Sequence, residues 1–282
     1  MFSHNESFET FYQELEEYEA VIFYRVPSFP DVVDAINATN IEGIPSIYEV
    51  DDLIFDENEF PPPYSTYAKQ ITEDQYNRLC VDVPLVSDAM RRCTHGIAST
   101  QYLADYMSSY VKTGEVSVLR NGLSSVHMSS VSKANTGARD DSVTIFYGSG
   151  TKAHKEEFHQ ILEPVFIRLK QKHGARVKFV LVGSYDRTGA LKELGDSVVI
   201  ADQIENISQF WDLMVQCANI NLSILAPTAV TNSKSEIKWL EAGMFGIPSV
   251  VSTTSAYQEC TSDGEDIFLC DTQDEFLSLI HI

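Results

Sequence analysis

The ionisable side chains Lys234, Glu236 and Glu241 stand close together in the run PTAVTNSKSEIKWLEAGMFGIPSVVSTT, Pro227 to Thr254. Ser233 followed by Glu236 forms an S-x-x-E capping box, which predicts a helix over about 234–245, closed by Gly246 and Pro248 before the strand IPSVVS. On a 3.6-residue period Ile237, Leu240 and Met244 form the stripe expected to be buried, and Lys234 and Glu241 fall on the same side. A carboxylate or an ammonium in such a stripe is costly unless it is hydrogen-bonded or paired. Two helical turns, about 10 Å, keep these two from satisfying each other. A ligand with an anion at one end and hydroxyls at the other would satisfy both, and a nucleotide sugar has that form. Lys234 and helix-terminal amides would meet the diphosphate, Glu241 the ribose hydroxyls, and Thr231, Asn232, Ser233 and Ser235 would complete the donor-binding segment.

A second signal is the strand VTIFYG opening into Gly148, Ser149, Gly150, Thr151 and Lys152. A glycine turn between strand and helix lets backbone amides approach an anion, and Lys152 or Lys155 adds charge. His154 also stands in reach of a phosphate or an acceptor hydroxyl, or in solvent at a first helical turn. Residues 148–153 fit G-x-G-x-x-A, the dinucleotide fingerprint, but no acidic residue ends the next strand, VKFVLVG, as that reading requires. The Walker lysine pattern is also missing. A third signal is IYEVDDLIFDENEF (47–60). Its acids have no second acidic cluster or histidine at ligand spacing, so Asp51 and Asp52 are expected at a cleft rim, or as caps, and no metal site is expected.

These groups need strands and helices to hold them. Apolar runs at 20–26, 44–50, 96–100 and 116–121, then at 143–148, 177–183, 197–200, 220–225 and 247–252, alternate with segments of helical length. Runs without apolar/polar alternation imply strands covered on both faces, and the β-α-β rhythm implies parallel pairing with right-handed crossovers. The expectation is α/β, with two Rossmann-like doubly wound domains facing a cleft and joined through the serine-rich stretch 122–141. The first domain is expected over 1–130 and the second over 131–282. The first domain opens on the helical SFETFYQELEEY and supplies four strands, so its beginning is expected to be missing. Leu277–Ile282, LSLIHI, matches one reading frame of a transposon sequencing adapter, which points to a gene fragment.

With 41 acidic and 20 basic residues, the net charge of −21 repels nucleic-acid phosphates and anionic headgroups, so no nucleic-acid partner is expected. Five cysteines without C-x-x-C spacing suggest buried thiols in a reducing cytoplasm. No window supplies the roughly 20 apolar residues of a membrane helix, which leaves at most peripheral membrane association.

LEAGMFGIPSVVS (240–252), YGSGTKAHKEEF (147–158), VLRNG (118–122) and YEVDDLIFD (48–56) resemble the GT-B glycosyltransferases of family 4, the glycosyl transferases group 1, in the branch that builds bacterial surface polysaccharides. The resemblance implies transfer of a sugar, of hexosyl type, from a nucleotide-diphosphate donor to a saccharide or lipid-linked acceptor, with retention and without a metal or other cofactor. It also implies a cytoplasmic protein, at the inner face of the membrane if the acceptor is lipid-linked. Glu241 matches the second glutamate of the family's E-x7-E motif, while Ser233 stands where the first belongs and Glu236 is the substitute one turn on. The family's phosphate-binding Arg and Lys are missing at their usual spacing, and Lys152 and Lys234 are read as their replacements, stabilising charge on a departing diphosphate, with Glu236 toward the donor sugar as the third member of the catalytic set. Arg25, Asp51 and Asp52 are the candidates for acceptor contacts. Two other classes stay open, a GT-B-like nucleotide-sugar epimerase and a non-catalytic sugar-nucleotide-binding protein.

Overall fold

A computed structural model describes residues 8–67, 71–125, 129, 142–149, 158–187 and 189–280. The chain divides into two compact units. The first takes Met1–Pro62, Thr72–Asn121 and Thr228–Ser235; the second takes Pro63–Ile71, Gly122–Pro227 and Glu236–Ile282. The sequence boundary at 130 lies outside the described residues. The short piece Thr228–Ser235, carried by the second half of the sequence, belongs to the first unit.

In the first unit, β1 (Val21–Tyr24), β2 (Ser46–Val50), β3 (His95–Ala98) and β4 (Val116–Val118) form a parallel sheet in the order β1-β2-β3-β4. Right-handed crossovers between sequential neighbours pass along one face. On that side lie α2 (Pro30–Ile41), α3 (Glu73–Arg92) and α4 (Gln101–Met107), after the amino-terminal α1 (Phe8–Glu14). Phe23, Tyr48, Val50 and Ala98 point into this core with Ile36, Met90, Leu103 and Met107. The alternate residues Ile22 and Tyr24 are exposed.

The second sheet, β10-β9-β8-β5-β6-β7, is also parallel in its named pairs. Its strands are β5 (Val143–Gly148), β6 (Val177–Val182), β7 (Val198–Ala201), β8 (Ile220–Ser223), β9 (Ser249–Val251) and the two-residue β10 (Phe268–Leu269). Here the order runs outward from β5 to β7 and outward again from β8 to β10, so the connections cover both faces. The strands are accordingly near-continuous apolar runs, and β5, β6 and β9 are buried along most of their length. Phe158, Leu162, Val165, Phe166 and Leu169 fill one core through a π-helical turn, Phe158–Leu162, and α5 (Glu163–His173), with Leu191 of α6 (Gly189–Glu193) beside them. The point where the strand order reverses lies between β5 and β8, and open α/β sheets bind ligands outside the carboxyl ends of strands at such a point.

Candidate functional site

At that switch point β5 ends on Gly148 and Ser149. Gly148 has a packing reason to be glycine, since a Cβ there would meet the Phe210 ring at 2.7 Å. Gly183, just after β6, has φ +138°, and a Cβ on it would lie 2.8 Å from the Ser149 carbonyl oxygen. The end of β6 thus approaches the end of β5 closely because Gly183 carries no side chain, while Gly148 makes room for the Phe210 ring. Over them stands α9 (Ile237–Met244), whose Lys238 donates from Nζ to the Gly148 carbonyl at 3.0 Å.

Glu241, on the same helix, is 8% exposed. Trp211, fully buried on α7 (Ile207–Cys217), donates its indole N–H to Glu241 Oε1 at 3.2 Å. Burial raises the Glu241 carboxyl above its ordinary value, against the opposing pull of the Trp211 hydrogen bond and the Lys238 charge. Glu236, 3% exposed, is the N-cap residue of α9 and makes no side-chain capping bond. Its charge is felt by Tyr257 on α10 (Ser255–Cys260): burial first, against a hydrogen bond with Ser223, and then charges including Glu236 push the Tyr257 hydroxyl up to about 12. Ser223 is the last residue of β8. The second unit thus brings Gly148, Ser149, Glu236 and Glu241 onto one end of its sheet or the helix above it.

The first unit gathers the groups expected on the acceptor side. Arg25, just beyond β1, reaches Asp51 Oδ1 at 2.8 Å and Asp52 Oδ2 at 3.5 Å, both just beyond β2. Lys234 Nζ lies 3.1 Å from Asp52 Oδ1. Arg25 holds φ +48°, in the left-handed region that non-glycine residues seldom adopt. Ser99, beyond β3, donates to the Asp51 carbonyl at 3.3 Å, and Thr100 to the Ser233 carbonyl at 3.2 Å. The loops after β1, β2 and β3 therefore converge on one charged network.

The expected helix start is corrected. Ser233 does not open a helix; it closes α8 (Ala229–Asn232) as its C-cap, and its Oγ donates to the Val230 carbonyl at 2.7 Å. The capping box belongs instead to Thr228 and Thr231. Residues 233–235 are held in the first unit by the Lys234–Asp52 pair and by Asn121, whose Nδ2 donates to Ser235 Oγ at 2.8 Å. The helix therefore begins three residues later, and Lys234 and Glu241 share no stripe. The buried positions of α9 are Glu241 and Ala242, with Ile237, Leu240 and Met244 half-buried. Thr231, Asn232, Ser233 and Ser235 belong to the first unit, apart from the unit holding Glu241. Gly150, Thr151 and Lys152 lie outside the described residues. Lys238 and Trp211 were not among the expected site residues. The signal for Lys238 was its place one turn before Glu241, whereas Trp211 comes from a separate helix and had none.

The family described as Glycosyl transferases group 1 matches residues 141–280. Through this stretch the chain belongs to the group 1 glycosyltransferases. Among solved structures the chain is similar to Anabaena HepE in complex with UDP, at 16% identity and TM-score 0.57, over 96% of this chain and 70% of that one. It is also similar to a UDP-forming α,α-trehalose-phosphate synthase from Burkholderia xenovorans in complex with glucose 6-phosphate, at 9% identity and TM-score 0.57, over 95% and 66% of the two chains. A third similarity is to α,α-trehalose 6-phosphate synthase from Burkholderia multivorans, at 10% identity and TM-score 0.55, over 93% and 62%. At such identities the likeness is one of fold, the GT-B fold. No curated protein matches the chain. Among the described residues no group of three or more His, Cys, Asp or Glu could hold a metal ion, and no helix is long and apolar enough to cross a membrane. The matched stretch contains the β5/β8 switch point and the Glu241, Trp211 and Lys238 side chains described above.

Proposed function

We propose that this glycosyltransferase moves a hexosyl group, with retention and without a metal, from a nucleoside-diphosphate donor to a saccharide or lipid-linked acceptor in cytoplasmic polysaccharide or glycoconjugate synthesis. The observation that carries this reading is Glu241, buried, held by Trp211, and one turn from the Lys238 that reaches the Gly148 carbonyl. A carboxylate there is suited to accept hydrogen bonds from ribose hydroxyls, and an ammonium at the strand end to meet phosphate. Lys238 joins Lys152 and Lys234 as a candidate for charge developing on the departing β-phosphate, with Glu236 toward the transferred sugar. Lys234 is held by Asp52 in this structure and would act on phosphate only by exchanging that partner. Stabilisation of the leaving group by placed cations and amides is electrostatic catalysis without a protein nucleophile. Arg25, Asp51 and Asp52 form the acceptor side.

UDP is the first nucleotide to test, because HepE was solved with it. UDP is expected to raise the melting temperature, and Glu241→Ala to abolish the rise. Absence of a rise with UDP, GDP, dTDP and their sugars would overturn the proposal. A second reading, donor binding without transfer, draws on Ser233, whose hydroxyl is turned to the Val230 carbonyl where the family keeps a carboxylate. A donor-induced rise with no transfer to any acceptor would select it.

A further inference from the structure

The loop after β2 and helix α4 leave the carboxyl ends of their strands together, tied by the Ser99 hydroxyl on the Asp51 carbonyl. Beyond that tie they border a strip of tyrosines. Tyr102 and Tyr106, one turn apart on α4, have ring centroids 5.5 Å apart. Tyr110 follows at the next turn's spacing; Phe55 from the loop packs edge-on against it at 4.9 Å, and the Arg91 guanidinium lies 4.4 Å from its ring centre. All three tyrosines are half-buried, so their rings are held yet reachable.

The loop adds carboxylates to the rings. Asp56 hydrogen-bonds Tyr110, and the Tyr106 hydroxyl, pushed up to about 12 by burial first and then by its hydrogen bond with Tyr102, also feels the nearby charges of Glu59 and Asp56. Asp56 also accepts from Asn58 at 2.9 Å, which fixes the turn. Flat rings with one apolar face and a hydroxyl rim, beside carboxylates and an amide, match the two kinds of surface on a pyranose. The C–H face of the sugar stacks on the ring, and its hydroxyls donate to carboxylate oxygens. The acids oppose an anionic partner, in keeping with the net charge of −21.

We propose that the strip formed by Tyr102, Tyr106 and Tyr110 with Asp56 and Glu59 binds a neutral saccharide chain, as an extended acceptor site continuing from the Arg25–Asp51–Asp52 network. The acceptor role rests on the transferase reading, but saccharide binding by the strip does not. The strip is built from one loop and one helix of a single unit and needs no donor to form.

The test is binding of maltotetraose, cellotetraose and chitotetraose to the full chain by saturation-transfer NMR, with thermal shift by UDP measured in parallel. At least one tetrasaccharide is expected to bind. Tyr102→Ala is expected to weaken that binding about tenfold, while Tyr102→Phe, which keeps the ring, changes it little. Glu59→Gln, which keeps the shape, is expected to weaken it by less. The UDP shift should be the same in all variants, which also shows that they fold. No binding by any tetrasaccharide, or undiminished binding by Tyr102→Ala, overturns the strip while a surviving UDP shift leaves the transferase reading standing. Tyr102-dependent binding of an oligolysine peptide or of phosphatidylserine vesicles, in place of the sugars, also overturns it. Tyr102-dependent sugar binding without any nucleotide shift supports the strip and counts against the transferase reading instead.

Discussion

Arg25 combines an unfavourable backbone with a useful side chain. Its φ of +48° costs a non-glycine residue about 1 kcal/mol, and such strain persists where the surrounding structure over-determines it. Arg25→Gly is therefore expected to be more stable than Arg25→Ala by about 1 kcal/mol in urea denaturation, since both lose the ion pairs and only glycine relieves the strain. Both should raise the KM for acceptor more than that for donor. Glu241 poses the opposite balance. Its pKa is raised in the folded state, so its proton-linked stability is present below the unfolded value, 4.5, and is lost as pH rises through the folded value. The ligand-free protein at pH 7 thus carries the cost of a buried carboxylate. Glu241→Gln should melt a few degrees higher than the parent at pH 7, and the difference should vanish as pH falls below the unfolded value, while UDP binding is lost. Equal melting at both pH values would contradict this. Lys238→Met is expected to weaken UDP binding about tenfold by calorimetry, the scale of one charge-assisted hydrogen bond. Lys234→Met should lower turnover more than UDP affinity, because it leaves Asp52 with Arg25 alone.

Between β8 and α9 lie two successive candidate helix starts, T-x-x-T at Thr228, which the structure reveals, and S-x-x-E at Ser233, which is expected from the sequence. Local chemistry does not rank them. The first is realised: Thr228 accepts from the Thr231 amide, and the Thr231 side chain answers to the Thr228 amide at 2.9 Å. The second is overridden by the Lys234–Asp52 and Asn121–Ser235 contacts, whose partners lie more than a hundred residues away in sequence. Thr228→Ala should cost about 1 kcal/mol, the usual worth of an N-cap, in chemical denaturation. Because α8 presents Ala229 and Val230 to the first core, the loss is expected in the unfolding of the first unit. The glycine turn shows a similar limit. In sequence it reads as a place where backbone amides approach an anion, but the neighbour that demands Gly148 is Phe210, a half-buried ring on α7.

For the molecule as a whole, two parallel sheets with separate cores predict a localised response to ligand. Hydrogen exchange with saturating UDP should gain protection at the carboxyl end of β5 and along α9, with β2 and β3 unchanged. Equal protection across both sheets would contradict a donor site confined to the second unit. The α/β class and nearly all the strands were determined by the sequence alone, because apolar runs at strand length, separated by helical periods, have few other ways to bury themselves. Glu241 was also legible there, as a carboxylate among apolar neighbours. What only the tertiary structure decided is which distant groups complete each site. Strand order is fixed by packing rather than by local pattern, so the β5/β8 switch point, and with it Lys238 beside Gly148, could not be read from spacing. The same holds for Trp211 on Glu241. Lys234 belongs with Asp52 for the same reason: a long flexible ammonium takes the carboxylate that folding brings near, whatever its own stretch of sequence suggests.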